Sequence, residues 1–320
     1  MPGLHSKSNY GERFKRRQKL KIIGFFGVSA LIITGIVFFL VGRTSDISGR
    51  EGGNGNKDLV KLWQEGAFLE VFNMSEQKLE KKPLDFFLLM IHGFSAYQIA
   101  IAQMNDADRL PYIDRAIWAL RKARLTHQGE NDARVKYALG RAYYYKGPSY
   151  ADLCVKYLKE ARTAYYNAED IPQYLGLAYA LLHDYRNSVI AFTDALDPKN
   201  NPKGPSDILL LAIARSYIEL SEFVSARPYI VKALNISKDF NTIAAARLLL
   251  ASIMMEEGDS AGAEKEIRSV ISEGGESAEA HFRLGLLYEK QNDYYRARAE
   301  WRKAFNLNPN FTFVREKLNL

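Results

Sequence analysis

The stretch AEAHFRLGLLYEKQNDYYRARAEWRKAFNLNPN, residues 278–310, decides the fold of this chain. It contains two apolar stripes at helical spacing, each mixing small and large side chains: Leu284, Gly285 and Tyr288, followed by Ala297, Trp301 and Ala304. Pro309 ends the second stripe because proline lacks the amide hydrogen that continues a helix. The stretch therefore predicts a hairpin of two helices. One hairpin cannot bury both of its apolar faces, so the pattern indicates that further hairpins stack on it.

The same pattern recurs upstream with a drifting period. Units begin near residues 86, 133, 169, 207, 244 and 278, which are 47, 36, 38, 37 and 34 residues apart. Residues 58–85 are expected to form a partial first unit, and residues 312–320 a partial cap on the last apolar face. In the long unit that begins near 86, the extra residues around MNDADRLPYID are expected to lengthen the first helix or its turn.

The mixture of small and large side chains has a physical reason. A small residue in each helix is expected where the two helices of a unit cross, because a larger side chain would push them apart. Large residues such as Tyr288 and Trp301 are expected to fill the space towards the neighbouring unit.

These positions resemble the tetratricopeptide repeat family, and the resemblance covers roughly residues 58–311. It is strongest for residues 278–311 and 169–202, and weaker for residues 86–132. The resemblance implies an all-α fold, a right-handed superhelical solenoid of helix-turn-helix repeats. The first helices of such a solenoid line a concave groove that holds peptides or partner proteins. A simple helical bundle and a generic helical solenoid are the alternatives.

The resemblance also implies which residues face the groove, since the fifth, ninth and twelfth places of each first helix do so in this family. These places supply the candidate partner-binding residues Phe94, Tyr97, Tyr137, Arg141, Tyr144, Leu177, Leu211, Arg215 and Ile218. The Lys and Asn pair by which some members hold a terminal carboxylate is missing here. We expect these side chains to bind an apolar or aromatic segment with an acidic group. The alternative is that several of them pack on each other.

An uncharged segment of twenty residues, 22–41, is long enough to cross a bilayer as a helix. A cleaved signal peptide is the alternative, and it is disfavoured because the apolar run is long and no Ala-x-Ala site follows. The basic residues 1–21 precede the span and predict a cytoplasmic amino terminus. Residues 42–57 are expected to form a flexible linker, and residues 58–320 are then expected to lie outside the cytoplasm, in the periplasm if the source is bacterial. The span itself offers a weak homodimer face at Gly24, Gly27 and Gly35.

Charge and chemistry argue against several classes of function. Residues 1–21 hold seven lysines and arginines against one glutamate, so they carry six of the chain's net +7 charges and the remainder is nearly neutral. A nucleic-acid-binding domain would spread its positive charge over the folded part. The five histidines lack paired metal-ligand spacing, no phosphate-binding glycine loop is present, and the single cysteine, Cys154, occupies a small core position. We therefore predict no metal, no cofactor, no nucleic acid and no catalysis.

These observations predict a non-enzymatic, membrane-anchored scaffold whose extracytoplasmic groove binds a protein or peptide partner. Assembly of the cell envelope and handling of exported proteins are the expected settings. A cytosol-facing receptor or co-chaperone is the first alternative, and a subunit of an enzyme complex is the second.

Overall fold

The computed structural model describes residues 55–164, 166, 168–200, 204–274 and 277–320. The predicted cytoplasmic tail and membrane span therefore lie outside the described residues, as does most of the predicted linker. Within the described part, no helix is both long enough and apolar enough to cross a membrane.

The described residues form fifteen α-helices and one short 3₁₀ helix, Pro148–Tyr150. In chain order the α-helices are α1 Gly55–Gln64, α2 Phe68–Lys81, α3 Phe86–Ile101, α4 Asp106–Arg124, α5 Ala133–Lys146, α6 Ala151–Thr163, α7 Ile171–Leu181, α8 Tyr185–Asp194, α9 Asp207–Glu219, α10 Phe223–Ile236, α11 Phe240–Glu257, α12 Ser260–Gly274, α13 Ala278–Lys290, α14 Tyr294–Leu307 and α15 Thr312–Leu318. From α1 to α14 they follow each other as helix-turn-helix pairs, which gives an all-α array of the tetratricopeptide repeat type.

Short polar side chains at the start of many helices explain where those helices begin. The carboxylate of Asp85 accepts a hydrogen bond from the backbone N–H of Leu88 at 3.0 Å, at the start of α3. The hydroxyl of Ser206 accepts from Leu209 at 3.1 Å, at the start of α9. Each cap satisfies a backbone donor that the first turn of a helix leaves without a partner.

Glycines lie where the two helices of a pair cross. A Cβ atom on Gly140 of α5 would lie 2.6 Å from Cγ of Leu158 in α6, and one on Gly93 of α3 would lie 2.8 Å from Cγ of Leu120 in α4. Only a glycine allows this approach, as the repeat pattern predicts. In the last pair, the indole of Trp301 covers Gly285 in the same way.

The large residues of the last pair, Tyr288 and Trp301, contact elements beyond their own pair. The ring of Trp301 lies against Gly285 of its own unit, and Nζ of Lys317 in the following helix α15 lies 5.2 Å from its ring centroid. Tyr288 does reach the preceding unit, where its hydroxyl donates to Glu264 of α12 at 2.8 Å. Gly285 leaves room for part of the Trp301 ring between α13 and α14.

The extra residues of the long unit lengthen both of its helices. α3 has sixteen residues and α4 has nineteen, whereas α13 and α14 of the last unit have thirteen and fourteen. The longer second helix, which includes most of the sequence MNDADRLPYID, was not expected. Asn105 caps α4 by accepting from the N–H of Asp108 at 2.9 Å. The acidic Asp106 and Asp108 then lie in its first turn, where they stabilise the positive end of the helix dipole.

The chain divides into two compact units. Of the described residues, the first unit holds those up to Gly147 together with Lys156–Ala168, and the second holds Pro148–Val155 and Glu169–Leu320. Near the end of the second unit, Val314 and Leu318 of α15 bury themselves against the apolar cluster of the last pair.

Candidate functional site

In the first unit, Arg141 lies within a group of tyrosines that we call the aromatic–arginine cluster (Tyr97, Tyr137, Arg141, Tyr144 and Tyr145). Nη1 of Arg141 donates a hydrogen bond to the hydroxyl of Tyr137 at 2.9 Å. The guanidinium also lies 5.2 Å from the ring centroid of Tyr97 and 5.6 Å from that of Tyr137, within cation–π range. Arg141 is only 4% exposed, so the protein itself surrounds this charge.

Other rings complete the cluster. The ring of Tyr145 packs edge to face with that of Tyr97 at 5.9 Å and with that of Tyr144 at 5.3 Å. Phe94 lies 6.4 Å from the ring of Trp63 in α1. Phe94, Tyr97 and Tyr137 are buried and Tyr144 is half-buried. The structure therefore joins Tyr97, Tyr137, Arg141 and Tyr144 in one cluster of packed side chains, and it places Phe94 beside Trp63.

In the second unit, three predicted aliphatic residues lie in or beside the apolar core. Leu211 is buried in a cluster built by α9, α10 and α11, and Ile218 packs against the same cluster while half-buried. Leu177 of α7 is half-buried against a smaller cluster around Phe192 and Ile213. These three side chains therefore pack in the apolar core of the second unit and stabilise its helices.

Arg215 has different surroundings, because it lines a cavity of about 530 Å³ in the second unit. We call this the α11–α13 cavity. It is lined by Arg215, Phe240, Asn241, Ala244, Ala245, Leu248, Leu249, Val270, Gly274, Ser277, Glu279 and Arg283. Aliphatic side chains from α11 and α12 supply its apolar part, and the polar side chains come from α9, from Ser277 and the first two turns of α13, and from the start of α11. Its volume lies within the range of about 300–1,000 Å³ that is usual for ligand pockets.

Of the two described arginines that line this cavity, Arg283 is paired with other described side chains and Arg215 is not. Nε of Arg283 donates to Oε1 of Glu279 at 2.7 Å, and Nη1 of Arg283 donates to the hydroxyl of Ser252. Among the described residues, none forms a hydrogen bond or ion pair with the exposed Arg215. Surrounding protein removes water from its guanidinium and lowers its pKa, the positive Arg283 lowers this pKa further, and Glu279 opposes both effects.

Sequence reasoning found Arg215 and missed the other polar groups of this cavity. Glu279 and Arg283 hold the second and sixth places of their unit, outside the fifth, ninth and twelfth places that the resemblance implies. Phe240 and Asn241 precede the unit that begins near 244, because α11 starts one turn earlier than the repeat pattern predicts. Asp239, which caps α11 by accepting from the N–H of Thr242 at 3.2 Å, is the signal that marks this earlier start.

Cys154 and His92 are two titratable residues that lie buried inside the array. Burial raises the pKa of the Cys154 thiol from 9.0 to about 12, which keeps the thiol protonated at neutral pH. His92 is buried against the ring of Phe72 and lies 2.9 Å from the hydroxyl of Ser75, and burial lowers its pKa. Within the described ranges, no group of three or more His, Cys, Asp or Glu side chains is placed to hold a metal ion.

The paired helices, the glycine crossings and the cavity define a class: an array of tetratricopeptide repeats with a ligand-sized cavity. Residues 278–311 match the family model described as a tetratricopeptide repeat. No curated protein sequence matches the chain. The chain therefore contains a tetratricopeptide repeat at its carboxyl-terminal end and has the fold of such proteins along the described residues.

Solved structures agree on this fold. A tetratricopeptide repeat protein from Parabacteroides merdae is similar over 83% of this chain and 98% of its own, with 16% identity and a TM-score of 0.56. The carboxyl-terminal part of a repeat protein from Cytophaga hutchinsonii covers 82% of this chain and 99% of its own, with 15% identity and a TM-score of 0.54. PilW, described as a widely conserved type IV pilus biogenesis factor, covers 71% and 98%, with 16% identity and a TM-score of 0.54.

Proposed function

We propose that this protein is a non-enzymatic scaffold that binds a protein or peptide partner through the second unit of its repeat array. The observation that carries the proposal is the α11–α13 cavity, where an apolar interior meets the exposed guanidinium of Arg215. Arginine is one of the residues that contribute most to binding energy in protein interfaces. The cavity supplies such an arginine on a rigid framework of helices, which limits the entropy lost on binding.

The aromatic–arginine cluster has a supporting role in this proposal. Its buried members stiffen α3 and α5, and its half-buried Tyr144 and Tyr145 keep part of their rings at the surface of the first unit. A partner that reaches this part of the array would contact those rings, and Arg141 would hold the ring of Tyr97, against which Tyr145 packs.

We also propose that residues 22–41 anchor the array to a membrane, with the amino terminus in the cytoplasm and the array on the other side. Support comes from the uncharged length of the segment and from the basic residues before it. An anchored array meets membrane partners at a raised effective concentration, so modest affinity at the cavity suffices. The proposed setting is assembly of the cell envelope or handling of exported proteins.

A crosslinked pull-down of the full-length chain from its own membranes tests the binding role. We expect a defined partner to be recovered with the wild type and with Arg298→Gln, because Arg298 is exposed on α14 and does not line the cavity. Recovery should fall with Arg215→Gln. Equal recovery by all three chains would show that the partner binds elsewhere.

The orientation needs a separate experiment. A reporter enzyme that is active only outside the cytoplasm, fused after Leu320, should be active if the array is extracytoplasmic. A reporter that is active only in the cytoplasm would instead support the alternative of a cytosol-facing receptor. Neither result depends on which partner the array binds.

A further inference from the structure

We infer that the α11–α13 cavity recognises a single carboxylate side chain next to a large apolar side chain in a peptide segment of the partner. This inference rests on the proposed function and specifies the ligand of the same cavity. Its first support is the charge of the lining. Among the described residues, the charged side chains that line the cavity are Arg215, Arg283 and Glu279. Their sum is one positive charge, which one carboxylate neutralises.

The pairing within the lining decides which cation is available. Arg283 is already engaged, since its guanidinium donates to Glu279 at 2.7 Å and also to Ser252. Arg215 has no such partner among the described residues, and the neighbouring positive charge of Arg283 makes an anion there more favourable. The planar guanidinium of an arginine matches a carboxylate through two parallel hydrogen bonds. Arg215 is therefore the anion-binding group, and Arg283 is a positioning residue that Glu279 holds in place.

The same arrangement favours a carboxylate over a phosphate. A phosphate group carries close to two negative charges at neutral pH. Of the lining residues that the structure describes, one positive charge lacks a counterion, and the carboxylate of Glu279 lies near enough to Arg215 to affect its pKa. A second negative charge on the ligand would be repelled by Glu279 without a further cation to balance it.

The apolar lining of the cavity indicates which kind of side chain stands next to the acidic residue in the bound peptide. Leu248, Leu249 and Val270 line the cavity with Ala244 and Ala245, and none of these side chains carries a polar atom. A volume of about 530 Å³ leaves room for a large aliphatic or aromatic side chain beside the carboxylate. Burial of such a side chain away from water stabilises the complex.

The extra turn of α11 supplies one wall of the cavity. The other first helices beside it lack this turn, so the cavity differs from the surfaces of the regular repeats. α11 has eighteen residues, whereas α9 and α13, the first helices on either side, have thirteen each. Phe240 in the extra turn lies directly against Gly274 at the end of α12, where any Cβ atom would clash with its ring. Asn241 in the same turn adds an amide, which donates and accepts hydrogen bonds, to the lining.

The test uses the full-length chain in lipid nanodiscs and a phage-displayed library of random peptides. We expect the selected peptides to share Asp or Glu next to Leu, Ile or Phe. For synthetic copies of these peptides, Arg215→Gln should weaken binding about tenfold or more, the loss usual for a hydrogen bond to a charged group. Ala245→Leu, which fills the cavity while leaving Arg215 intact, should weaken binding as well, and the matched control Arg298→Gln should not.

The outcomes separate this inference from the proposed function. Selection of neutral or basic peptides whose binding is unchanged by Arg215→Gln would overturn the inference and leave the binding role standing. Stronger binding of a phosphoserine peptide than of the matching Glu peptide would overturn the charge argument. Failure of the wild-type chain to select any peptide would overturn both the inference and the proposed function of the cavity.

Discussion

Arg141 and Arg215 hold the same place in two repeat units, the ninth, yet their surroundings differ. Arg141 of α5 is 4% exposed and is held by the rings and hydroxyl of neighbouring tyrosines. Arg215 of α9 is exposed at a cavity and no described residue bonds to it. The repeat pattern assigns both side chains to one surface, so their difference arises from the residues around them.

The neighbouring side chains explain the difference. The fifth place of the same unit is Tyr137 for Arg141 and Leu211 for Arg215. The twelfth place of the preceding unit is Tyr97 in the first case and Ala180 in the second. Tyrosine offers a ring face and a hydroxyl to a guanidinium, and leucine and alanine offer neither. Arg141, which lies among tyrosines, thus becomes part of the structure, whereas Arg215, which has no tyrosine at the corresponding places, stays available to a ligand.

The largest effect should be the loss of stability on truncating Arg141, and the same truncation of Arg215 is its comparison. Arg141→Ala should lower the free energy of unfolding by about 2–4 kcal/mol, because it removes a buried hydrogen bond and a cation–π contact. Arg215→Ala should change it by about 0.5 kcal/mol or less, as an exposed side chain without partners does. Urea unfolding of both full-length variants provides the measurement. Equal losses in the two variants would mean that the two sites do not differ in the way described.

A second, smaller effect should appear in the first unit on acidification. Burial lowers the pKa of His92 below its ordinary 6.5, so the folded protein keeps this ring neutral after the unfolded chain has taken up a proton. Stability should therefore fall as the pH drops below 6.5, until the lowered pKa of the folded state is reached. The loss between about pH 8 and about pH 5 should be smaller in His92→Gln than in the wild type. An unchanged pH profile in the variant would assign the loss to other groups.

The smallest expected effect is the slow chemical modification of Cys154, and its measurement requires no mutation. Because burial raises the pKa of Cys154 to about 12, a thiol reagent at about pH 8 should modify it slowly in the folded chain and rapidly in urea. The slow rate measures opening of the core around Cys154. Addition of a peptide that binds the α11–α13 cavity should leave this rate unchanged or lower it. Rapid modification of the folded chain would contradict the burial of this side chain.

Sequence reasoning predicted the repeat array well, because the crossing of two helices requires small residues that recur at fixed spacing. Gly140 and Gly285 could be recognised in this way. The pattern failed where the chain departs from the repeat, as in the extra turn that carries Phe240 and Asn241. It also could not separate Arg141 from Arg215, since burial depends on side chains from other parts of the chain, such as Tyr97.

The most direct test of the binding role is photo-crosslinking from the cavity in the full-length chain. A photoreactive phenylalanine analogue is placed at Asn241, which lines the α11–α13 cavity, and in a matched chain at Arg298 on α14. In native membranes, we predict one crosslinked partner from position 241, loss of that product when Arg215→Gln is added, and no such product from position 298. A partner crosslinked from position 298 alone, or a product from position 241 that persists with Arg215→Gln, would contradict the proposed role of the cavity.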